Sequence, residues 1–340
     1  MSASDGEPAG RRVGQPRRAA VRVPGSAANL GAGFDCVGMA VDRWIEAEVV
    51  VGDDRPSPEG APPSVRVQRA GELRALDALG ASPGDDLLVA GFVAACRARG
   101  RPVPAQLDFT ASSSIPVARG LGSSAAAVVA GARLADTALA LGMSAEELAA
   151  TCADMEGHPD NVAPSVFGGA MLCVPRAPIA DVGRPPDRPR ERRAYSYAEL
   201  PVHESIAFAF AVPDFPLATK AARAALPSTL PYAAATAAAA KGAALVRGLA
   251  TGDGALLAAA LDDVLHVPYR RASVRGYDAV ERLAVAAGAF GATLSGSGSA
   301  MLAIAPSERA ERVADAMREA WGDAGVRAEA FVVRGMVRPA

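Results

Sequence analysis

Small and hydroxyl residues crowd one stretch of the chain, residues 116–126, which reads Pro-Val-Ala-Arg-Gly-Leu-Gly-Ser-Ser-Ala-Ala. A run rich in alanine, valine and leucine follows it. Gly120 and Gly122 permit positive φ and the close approach of a ligand to the backbone, and Ser123 is a favoured N-cap residue. The stretch therefore predicts a loop that aims free backbone amides and a helix N-terminus at an anion such as phosphate.

Ser124 adds a hydroxyl oxygen of the kind that Mg2+ accepts as a ligand. An ordinary capped turn before a helix remains the alternative for this stretch, since such turns are often rich in glycine and serine. Two other nucleotide-binding patterns are excluded by missing residues. A Walker A loop ends in Gly-Lys-Ser/Thr, and lysine occurs only at Lys220 and Lys241. A dinucleotide-binding loop needs a third glycine where Ala125 stands.

A second polar stretch, residues 156–164, reads Glu-Gly-His-Pro-Asp-Asn-Val-Ala-Pro and precedes an apolar segment. A capping-box pattern at residues 144–147 predicts the start of the helix that ends here. His158, Asp160 and Asn161 combine donors and acceptors within four positions, which favours a binding site. The alternative interpretation of this stretch is a His-Pro turn that follows a helix.

The composition points to a protein that acts on a small molecule. The chain has 340 residues, 50% of them hydrophobic, and its 35 basic and 37 acidic residues nearly cancel, so nothing favours a nucleic-acid partner. The four cysteines lie far apart in apolar runs, which predicts free thiols in a reducing cytoplasm. No uninterrupted apolar run reaches the roughly 20 residues that span a bilayer. We expect a cytoplasmic protein with no membrane partner.

Strand patterns separated by helical ones, without a regular βαβ repeat, predict an α+β fold with antiparallel pairing. Residues 1–18 are expected to form a disordered tail, because they contain hardly any apolar residue. Residues 19–176 form the first predicted domain and residues 201–338 the second. Residues 177–200, rich in proline and arginine, are predicted to be a linker or surface loop.

Three blocks, residues 24–35, 116–126 and 294–299, resemble the three ordered motifs of the GHMP small-molecule kinases. The first block together with residues 156–164 resembles the homoserine kinase family in particular. The resemblance covers residues 19–337. It implies a two-domain GHMP kinase fold, with an N-terminal domain like ribosomal protein S5 domain 2 and a ferredoxin-like C-terminal domain. It also implies ATP-dependent phosphorylation of the side-chain hydroxyl of L-homoserine, a step of threonine biosynthesis.

The same resemblance implies ATP and Mg2+ as cofactors. The predicted nucleotide-binding residues are Pro116, Ala118, Arg119, Gly120, Leu121, Gly122, Ser123, Ser124 and Ala125. Ser124 and Glu156 are the predicted metal ligands. A carboxylate at the C-terminal end of a helix is electrostatically unfavourable unless a cation lies nearby, which supports the metal role of Glu156.

The resemblance places the amino acid in a pocket with an acid for its ammonium group and an arginine fork for its carboxylate. The predicted substrate-binding residues are Asn29, Asp35, His158, Asp160, Asn161, Thr219, Arg223 and Arg270. Asn29, Asp35 and Glu156 are the predicted catalytic residues. Thr219 and Arg223 are four residues apart and so share one helix face. Arg271 replaces Arg270 if the register differs by one.

Phosphoryl transfer depends more on positioning and charge neutralisation than on covalent help. We expect no strong general base, with Asp35 or Asp160 as the remaining candidates for a proton acceptor. Two places depart from the family pattern, at residues 299–300 and 271–276. The alternatives are therefore another GHMP kinase acting on a mevalonate-like or sugar alcohol, or a catalytically silent ligand-binding relative. The oligomeric state stays open, with a homodimer among the options.

Overall fold

The computed structural model describes residues 17–56, 63–78, 80, 82–176 and 194–339. Within these ranges the strands are β1 Arg17–Asn29, β2 Gly33–Pro56, β3 Ser64–Gly71, β4 Pro104–Ser113, β5 Ala170–Pro175, β6 Tyr195–Leu200, β7 Ile206–Pro213, β8 Gly291–Leu294, β9 Met301–Pro306 and β10 Ala328–Val333. The helices are α1 Arg74–Ala78, α2 Leu87–Ala98, α3 Ser123–Leu139, α4 Ala145–Glu156, α5 Val162–Phe167, α6 Thr219–Ala224, α7 Tyr232–Thr251, α8 Gly254–Leu261, α9 Val267–Arg270, α10 Tyr277–Ala287 and α11 Ala310–Asp323.

The first sheet has six strands and carries the N-terminal half of the chain. Its order is β3-β4-β2-β5-β6, and β1 pairs with β2 outside this path. The long β2 is the centre, because it pairs antiparallel with β1, β4 and β5 along its length. Only β3 and β4 run parallel in this sheet. The turn from β1 into β2, residues 30–32, lies within the first of the three motif blocks, residues 24–35.

The second sheet has four strands in the order β10-β7-β9-β8, all antiparallel. Every residue of β7 is buried, because this strand lies in the interior of the sheet with helices packed on it. The fully buried Trp321 of α11 belongs to the core on this side. The short loop between β8 and β9, residues 295–300, faces the first domain and carries the third glycine-rich block.

Two glycines allow α2 and α3 to pack in backbone contact. A Cβ at Gly91 would lie 2.1 Å from the Val128 carbonyl oxygen, and one at Gly131 would lie 1.9 Å from the Leu88 carbonyl oxygen. Most residues of α3 are buried. The N-terminus of α3 is thus held rigidly at the boundary between the two sheets, where the site lies.

Three of the predicted segment boundaries differ from the structure. Arg17 and Arg18 belong to β1, so the predicted tail is at least two residues shorter, and residues 1–16 lie outside the described ranges. The predicted linker, residues 177–200, includes β6, which pairs with β5 and so belongs to the first sheet; residues 177–193 lie outside the described ranges. The C-terminal segment returns to the first domain, where the Gly169 amide donates to the Val337 carbonyl at 2.7 Å.

The four cysteines are free thiols, as predicted, although Cys36 is only half-buried. Across the ranges that the structure describes, no helix combines the length and the apolar character needed to cross a membrane.

Candidate active site

The predicted anion loop connects β4 to α3 and has a backbone that favours glycine. Ala118, Gly120 and Gly122 all have positive φ, at 57°, 81° and 67°. A Cβ at Gly120 would lie 2.3 Å from the Ser295 carbonyl oxygen. The Ser295 hydroxyl in turn donates to the Gly120 carbonyl at 2.6 Å. The second and third glycine-rich blocks therefore pack directly against each other across the two domains.

The helix start differs by one residue from the prediction. The N-cap of α3 is Gly122, while Ser123 is already the first helical residue, so the predicted N-cap at Ser123 is wrong. The N-cap position has no room for a side chain, because a Cβ at Gly122 would lie 2.1 Å from the Ser26 hydroxyl. No side chain caps the helix, and the first amides of a helix have no intrahelical partner. The amides at the start of α3 are thus available to an anion.

Ser124 and Glu156 meet at this helix start, as predicted. The Ser124 hydroxyl donates to Glu156 Oε1 at 2.5 Å, although 32 positions separate the two residues. Glu156 is the last residue of α4, which Gly157 terminates in the left-handed conformation. The carboxylate therefore lies at the negative end of one helix dipole and near the positive end of another. The two side chains form a hard-oxygen pair of the kind that binds Mg2+.

In the described ranges, no group of three or more histidine, cysteine, aspartate or glutamate side chains could hold a metal ion by itself. This agrees with the chemistry of Mg2+, which takes one or two protein oxygens and completes its shell with phosphate oxygens and water. The donor set formed by Ser124 and Glu156 fits that pattern.

The turn from β1 to β2 contributes Asn29 and the nearby Asp35 to the lining of the cavity. Asn29, Leu30 and Asp35 have φ values of 75°, 47° and 56°. Residues other than glycine rarely adopt the left-handed backbone conformation, and those that do cluster at functional sites. The Asn29 amide nitrogen donates to the Gly296 carbonyl at 2.9 Å, and its oxygen accepts from the Asp35 amide at 3.0 Å. Asn29 thus fixes the position of Asp35 and connects both domains.

Arg223 lies opposite Asp35 and pairs with it. Its two terminal nitrogens donate to the two carboxylate oxygens at 3.0 and 2.7 Å. Arg223 lies near the end of α6, which begins at Thr219, and the Thr219 hydroxyl lies 3.2 Å from the Ser297 hydroxyl. The pair is only partly buried, so a ligand can reach both of its members.

Arg270 ends α9 and is 2% exposed. Its Nε donates to the Ala222 carbonyl at 3.1 Å, and one terminal nitrogen lies 3.2 Å from His266 Nδ1. Arg271, the alternative in the other register, bonds Asp278 on the surface. The register with Arg270 is therefore the one that faces the site.

His158 and Asp160 form a close pair at the start of the loop after α4. His158 Nδ1 lies 2.6 Å from Asp160 Oδ1, and that oxygen also accepts from the Asn161 amide at 3.1 Å. Burial lowers the pKa of His158, but the hydrogen bond and the charge of Asp160 outweigh it, so the pKa is raised above its ordinary value. The Asn161 side-chain oxygen accepts from the Ser26 hydroxyl at 3.0 Å.

A single cavity of ≈ 700 Å³ joins these groups. The predicted residues that line it are Asn29, Asp35, Ala118, Arg119, Gly120, Gly122, Ser123, Ser124, Ala125, Glu156, His158, Asp160, Asn161, Thr219, Arg223 and Arg270. Pro116 and Leu121 do not line it, and the Leu121 side chain is fully buried in the core. The cavity therefore brings the predicted anion loop, metal pair and amino-acid pocket together.

Comparison with known proteins agrees with this geometry. The family model described as "GHMP kinases N terminal domain" matches residues 87–169, and "GHMP kinases C terminal" matches residues 244–323. A homoserine kinase of a Synechococcus species is 39% identical over 323 residues, covering 93% of this chain and 95% of that protein. One from a Picosynechococcus species is 36% identical over 316 residues, covering 92% and 95%. The chain belongs to the homoserine kinase family of GHMP kinases.

Solved structures support the same assignment. The crystal structure of homoserine kinase from Cytophaga hutchinsonii superposes with a TM-score of 0.77 at 25% identity, covering 96% of this chain and 98% of that one. Mevalonate kinase from L. major superposes with a TM-score of 0.64 at 15% identity, covering 96% and 98%, and shows the shared fold alone. The predicted α+β, two-domain GHMP kinase fold is confirmed.

Both departures from the family pattern lie away from the cavity. Ser299 is fully buried, and its hydroxyl donates to the Phe215 carbonyl at 2.5 Å. Residues 271–276 do not line the cavity. The departures therefore leave the walls of the site unchanged.

Several residues that shape the site were not predicted from the sequence. Ser26, Phe34, Asp263 and His266 support the predicted residues from behind. Ser26 and Phe34 lie within the first motif block, but the resemblance assigned neither of them a role. Other missed residues line the far end of the cavity, where apolar side chains surround an ion pair: Val67, Arg69, Leu73, Leu76, Asp86 and Leu88. Asp86 is also the N-cap of α2, where its side chain accepts from the Leu88 amide.

Proposed function

We propose that this protein transfers the γ-phosphoryl group of ATP to the side-chain hydroxyl of L-homoserine, giving O-phospho-L-homoserine and ADP, as a step of threonine biosynthesis. One observation carries the proposal. The same cavity is lined by the helix start that suits an anion and by the Asp35–Arg223 pair. The relatives that cover more than nine-tenths of the chain bear the name homoserine kinase.

The phosphate end of the site is built from backbone. The free amides at the start of α3 and the positive end of its dipole attract the phosphates of ATP. Gly120 and Gly122 let those phosphates approach the main chain, because neither position has a Cβ. The carbonyl of Gly120 is occupied by the Ser295 hydroxyl, so the loop presents donors rather than acceptors to the nucleotide.

Ser124 and Glu156 are the residues that would hold Mg2+. The bound ion supplies positive charge that stabilises the developing charge on the phosphates. Glu156 also fixes the orientation of the Ser124 hydroxyl through their 2.5 Å hydrogen bond. The two side chains therefore define where the phosphates must lie relative to the start of α3.

The amino-acid end suits a zwitterion. Asp35 accepts the substrate ammonium group, and Arg223 and Arg270 donate to its carboxylate. Asp35 and Arg223 bond each other in the protein. When the zwitterion binds, its ammonium group pairs with Asp35 and its carboxylate with Arg223, so two ion pairs replace one and the net charge of the pocket does not change. Asn29 holds the Asp35 backbone in its left-handed conformation, and Thr219 lies on the same helix as Arg223.

The site offers no dedicated general base for the substrate hydroxyl. Asp160 is occupied by His158 and by the Asn161 amide, and Asp35 by Arg223. Positioning of the hydroxyl in line with the γ-phosphate, together with charge stabilisation, supplies the catalysis. As the new O–P bond forms and the bond to the ADP oxygen breaks, the hydroxyl proton passes to an oxygen of the transferred phosphoryl group and from there to water.

The test is a screen of ADP release with L-homoserine, L-threonine, L-serine and mevalonate as acceptors, with the product identified by phosphorus NMR. We expect turnover with L-homoserine and a phosphate monoester on its side-chain oxygen. A rate with mevalonate alone would overturn the proposal in favour of another GHMP kinase activity. Absence of turnover with every alcohol would indicate a catalytically silent relative.

A further inference from the structure

A buried polar network lies directly behind the amino-acid pocket. Asp263 accepts from the His266 amide at 2.7 Å and from the Val267 amide at 2.8 Å, and so fixes the start of α9. His266 is fully buried, and Asp263 and Arg270 are 6% and 2% exposed. The His266 ring stacks on Phe34, with ring centroids 5.1 Å apart. The imidazole therefore has one fixed orientation.

The partners of the two ring nitrogens determine the protonation state of His266. Nε2 lies 3.3 Å from the Gly31 carbonyl oxygen, which can only accept, so Nε2 carries the hydrogen. Nδ1 lies 3.2 Å from a terminal nitrogen of Arg270, which can only donate, so Nδ1 accepts. The ring is thus neutral. Burial, with a smaller contribution from the charge of Arg270, lowers the pKa of His266 to about 4, in agreement with this assignment.

The close approach of His266 Nε2 to Asp263 Oδ2, at 3.7 Å, is consequently not an ion pair. The Asp263 carboxylate acts instead on the backbone, where it accepts from three successive amides. The charged groups that face the ring are Asp263, Arg270 and Asp35.

Arg270 is held only by neutral acceptors in the described part of the chain. These are the Ala222 carbonyl, the His266 ring and, at 3.5 Å, the Gly296 carbonyl. No carboxylate among the described residues lies within 4.0 Å of its guanidinium, whereas Arg223 is paired by Asp35. A buried charge without a counter-ion is strongly unfavourable. Burial lowers the pKa of Arg270, but a guanidinium stays protonated in proteins. The charge of Arg270 is therefore available to an anionic group that enters the cavity.

We propose that His266 is a positioning residue for substrate recognition, which holds the Arg270 guanidinium in place without neutralising the charge that binds the substrate carboxylate. A carboxylate in the same place would orient Arg270 equally well but would compete with the substrate. The proposal rests on the role given to Arg270 under the proposed function.

The first test does not depend on turnover. The chain has three histidines, so long-range proton–nitrogen NMR of the full-length protein labelled in histidine can resolve each ring. The resonance that disappears in His266→Phe should report a neutral ring with the hydrogen on Nε2 from pH 7 down to pH 5. A charged ring, or a hydrogen on Nδ1, would overturn the proposal.

The second test compares substrates with and without a carboxylate. 3-Aminopropan-1-ol has the hydroxyl and amine of L-homoserine but lacks its carboxylate. In wild type, kcat/KM should be much higher for L-homoserine than for the amino alcohol. His266→Phe keeps the ring stacked on Phe34 but removes the acceptor for Arg270. We expect it to lower the ratio of the two kcat/KM values about 10-fold to 100-fold, because a buried donor loses its partner.

Two further variants separate positioning from general damage to the fold. Asn places an amide oxygen near the Nδ1 position, so His266→Asn should recover most of the ratio that His266→Phe loses. In an Arg270→Gln background, His266→Phe should change the ratio by less than about 2-fold, because its partner is already absent. Equal losses with both substrates, or additive losses in the double variant, would show a merely structural role. Wild-type turnover of L-homoserine tests the proposed function separately.

Discussion

Arg223→Gln is the variant that best separates substrate recognition from folding. Arg223 makes two hydrogen bonds with Asp35, but the two side chains are 38% and 36% exposed. Solvent screens an ion pair that is exposed to this degree, so it adds at most about 1 kcal/mol to the free energy of unfolding. We therefore expect the urea midpoint of the variant to stay close to that of wild type.

The effect on catalysis should be much larger. A guanidinium and a carboxylate form two charge-assisted hydrogen bonds, each worth about 1.5–3 kcal/mol. Glutamine can keep one neutral bond, which leaves a net loss of about 2–4 kcal/mol in transition-state binding. This corresponds to a decrease of about 30-fold to 900-fold in kcat/KM for L-homoserine. The KM for ATP should not change, because the side-chain bonds of Arg223 are with Asp35 and not with the anion loop.

Initial rates of ADP release with each substrate varied in turn measure both constants, and urea unfolding measures stability. Arg271→Gln is the matched control, since Arg271 is a neighbouring arginine that pairs with Asp278 on the surface and does not line the cavity. The reasoning is refuted if Arg223→Gln keeps kcat/KM within about 3-fold of wild type. It is also refuted if the control loses as much activity as the variant.

Three further predictions concern the rest of the site. Glu156→Gln should lower kcat by about 100-fold or more through loss of a metal ligand, whereas Glu146→Gln, at the exposed start of the same helix, should not; equal rates for the two variants would exclude the metal role. Gly122→Ala should lower the free energy of unfolding by at least about 2 kcal/mol, since strain at positive φ adds to a contact with the Ser26 hydroxyl. Gly142 has almost the same φ, 68°, but a Cβ there would meet no other atom. Gly142→Ala should therefore lower the free energy of unfolding by less, as measured by urea unfolding. The pKa of His158 is raised in the folded protein, so its pairing with Asp160 adds to the free energy of unfolding at low pH. This contribution is fully present below the pKa of the unfolded chain and is lost as the pH rises through the pKa of the folded protein. The difference in urea midpoint between wild type and His158→Gln should therefore shrink from pH 6 to pH 9, and a constant difference would contradict the pairing with Asp160.

The sequence could predict the parts of the site whose geometry is local. Gly120 and Gly122 permit a loop with positive φ, and the hydroxyl of Ser124 follows them closely in the sequence. The metal role of Glu156 is a prediction that comes from the family resemblance, and the unfavourable position of a carboxylate at a helix C-terminus supports it. Residues 156–164 were predictable because polar side chains between a helix end and an apolar strand need partners.

The missed features depend on contacts between distant segments. Ser26 decides that Gly122, rather than Ser123, caps α3, because it leaves no room for a side chain there. Strand β6 was predicted to be part of a linker for two reasons. Residues 177–193 separate it in the sequence from its partner β5, and the alternation of apolar and polar residues in a short edge strand is a weak signal. His266 is a single histidine in an apolar segment, and only the approach of Gly31 and Arg270 gives it a function.

The two arginines of the pocket differ in a way that bears on selectivity. Arg223 has a carboxylate partner in the protein, while Arg270, among the residues that the structure describes, has only neutral ones. A zwitterion supplies an anion for Arg270 and a cation for Asp35 at once, so each charged group ends with a partner. A hydroxy acid without an amine, such as mevalonate, would satisfy the arginines but leave Asp35 without its cation. Because a site built for a polar group rejects an analogue that lacks it, we expect the ammonium group, rather than the carboxylate alone, to distinguish the substrate of this protein from those of other GHMP kinases.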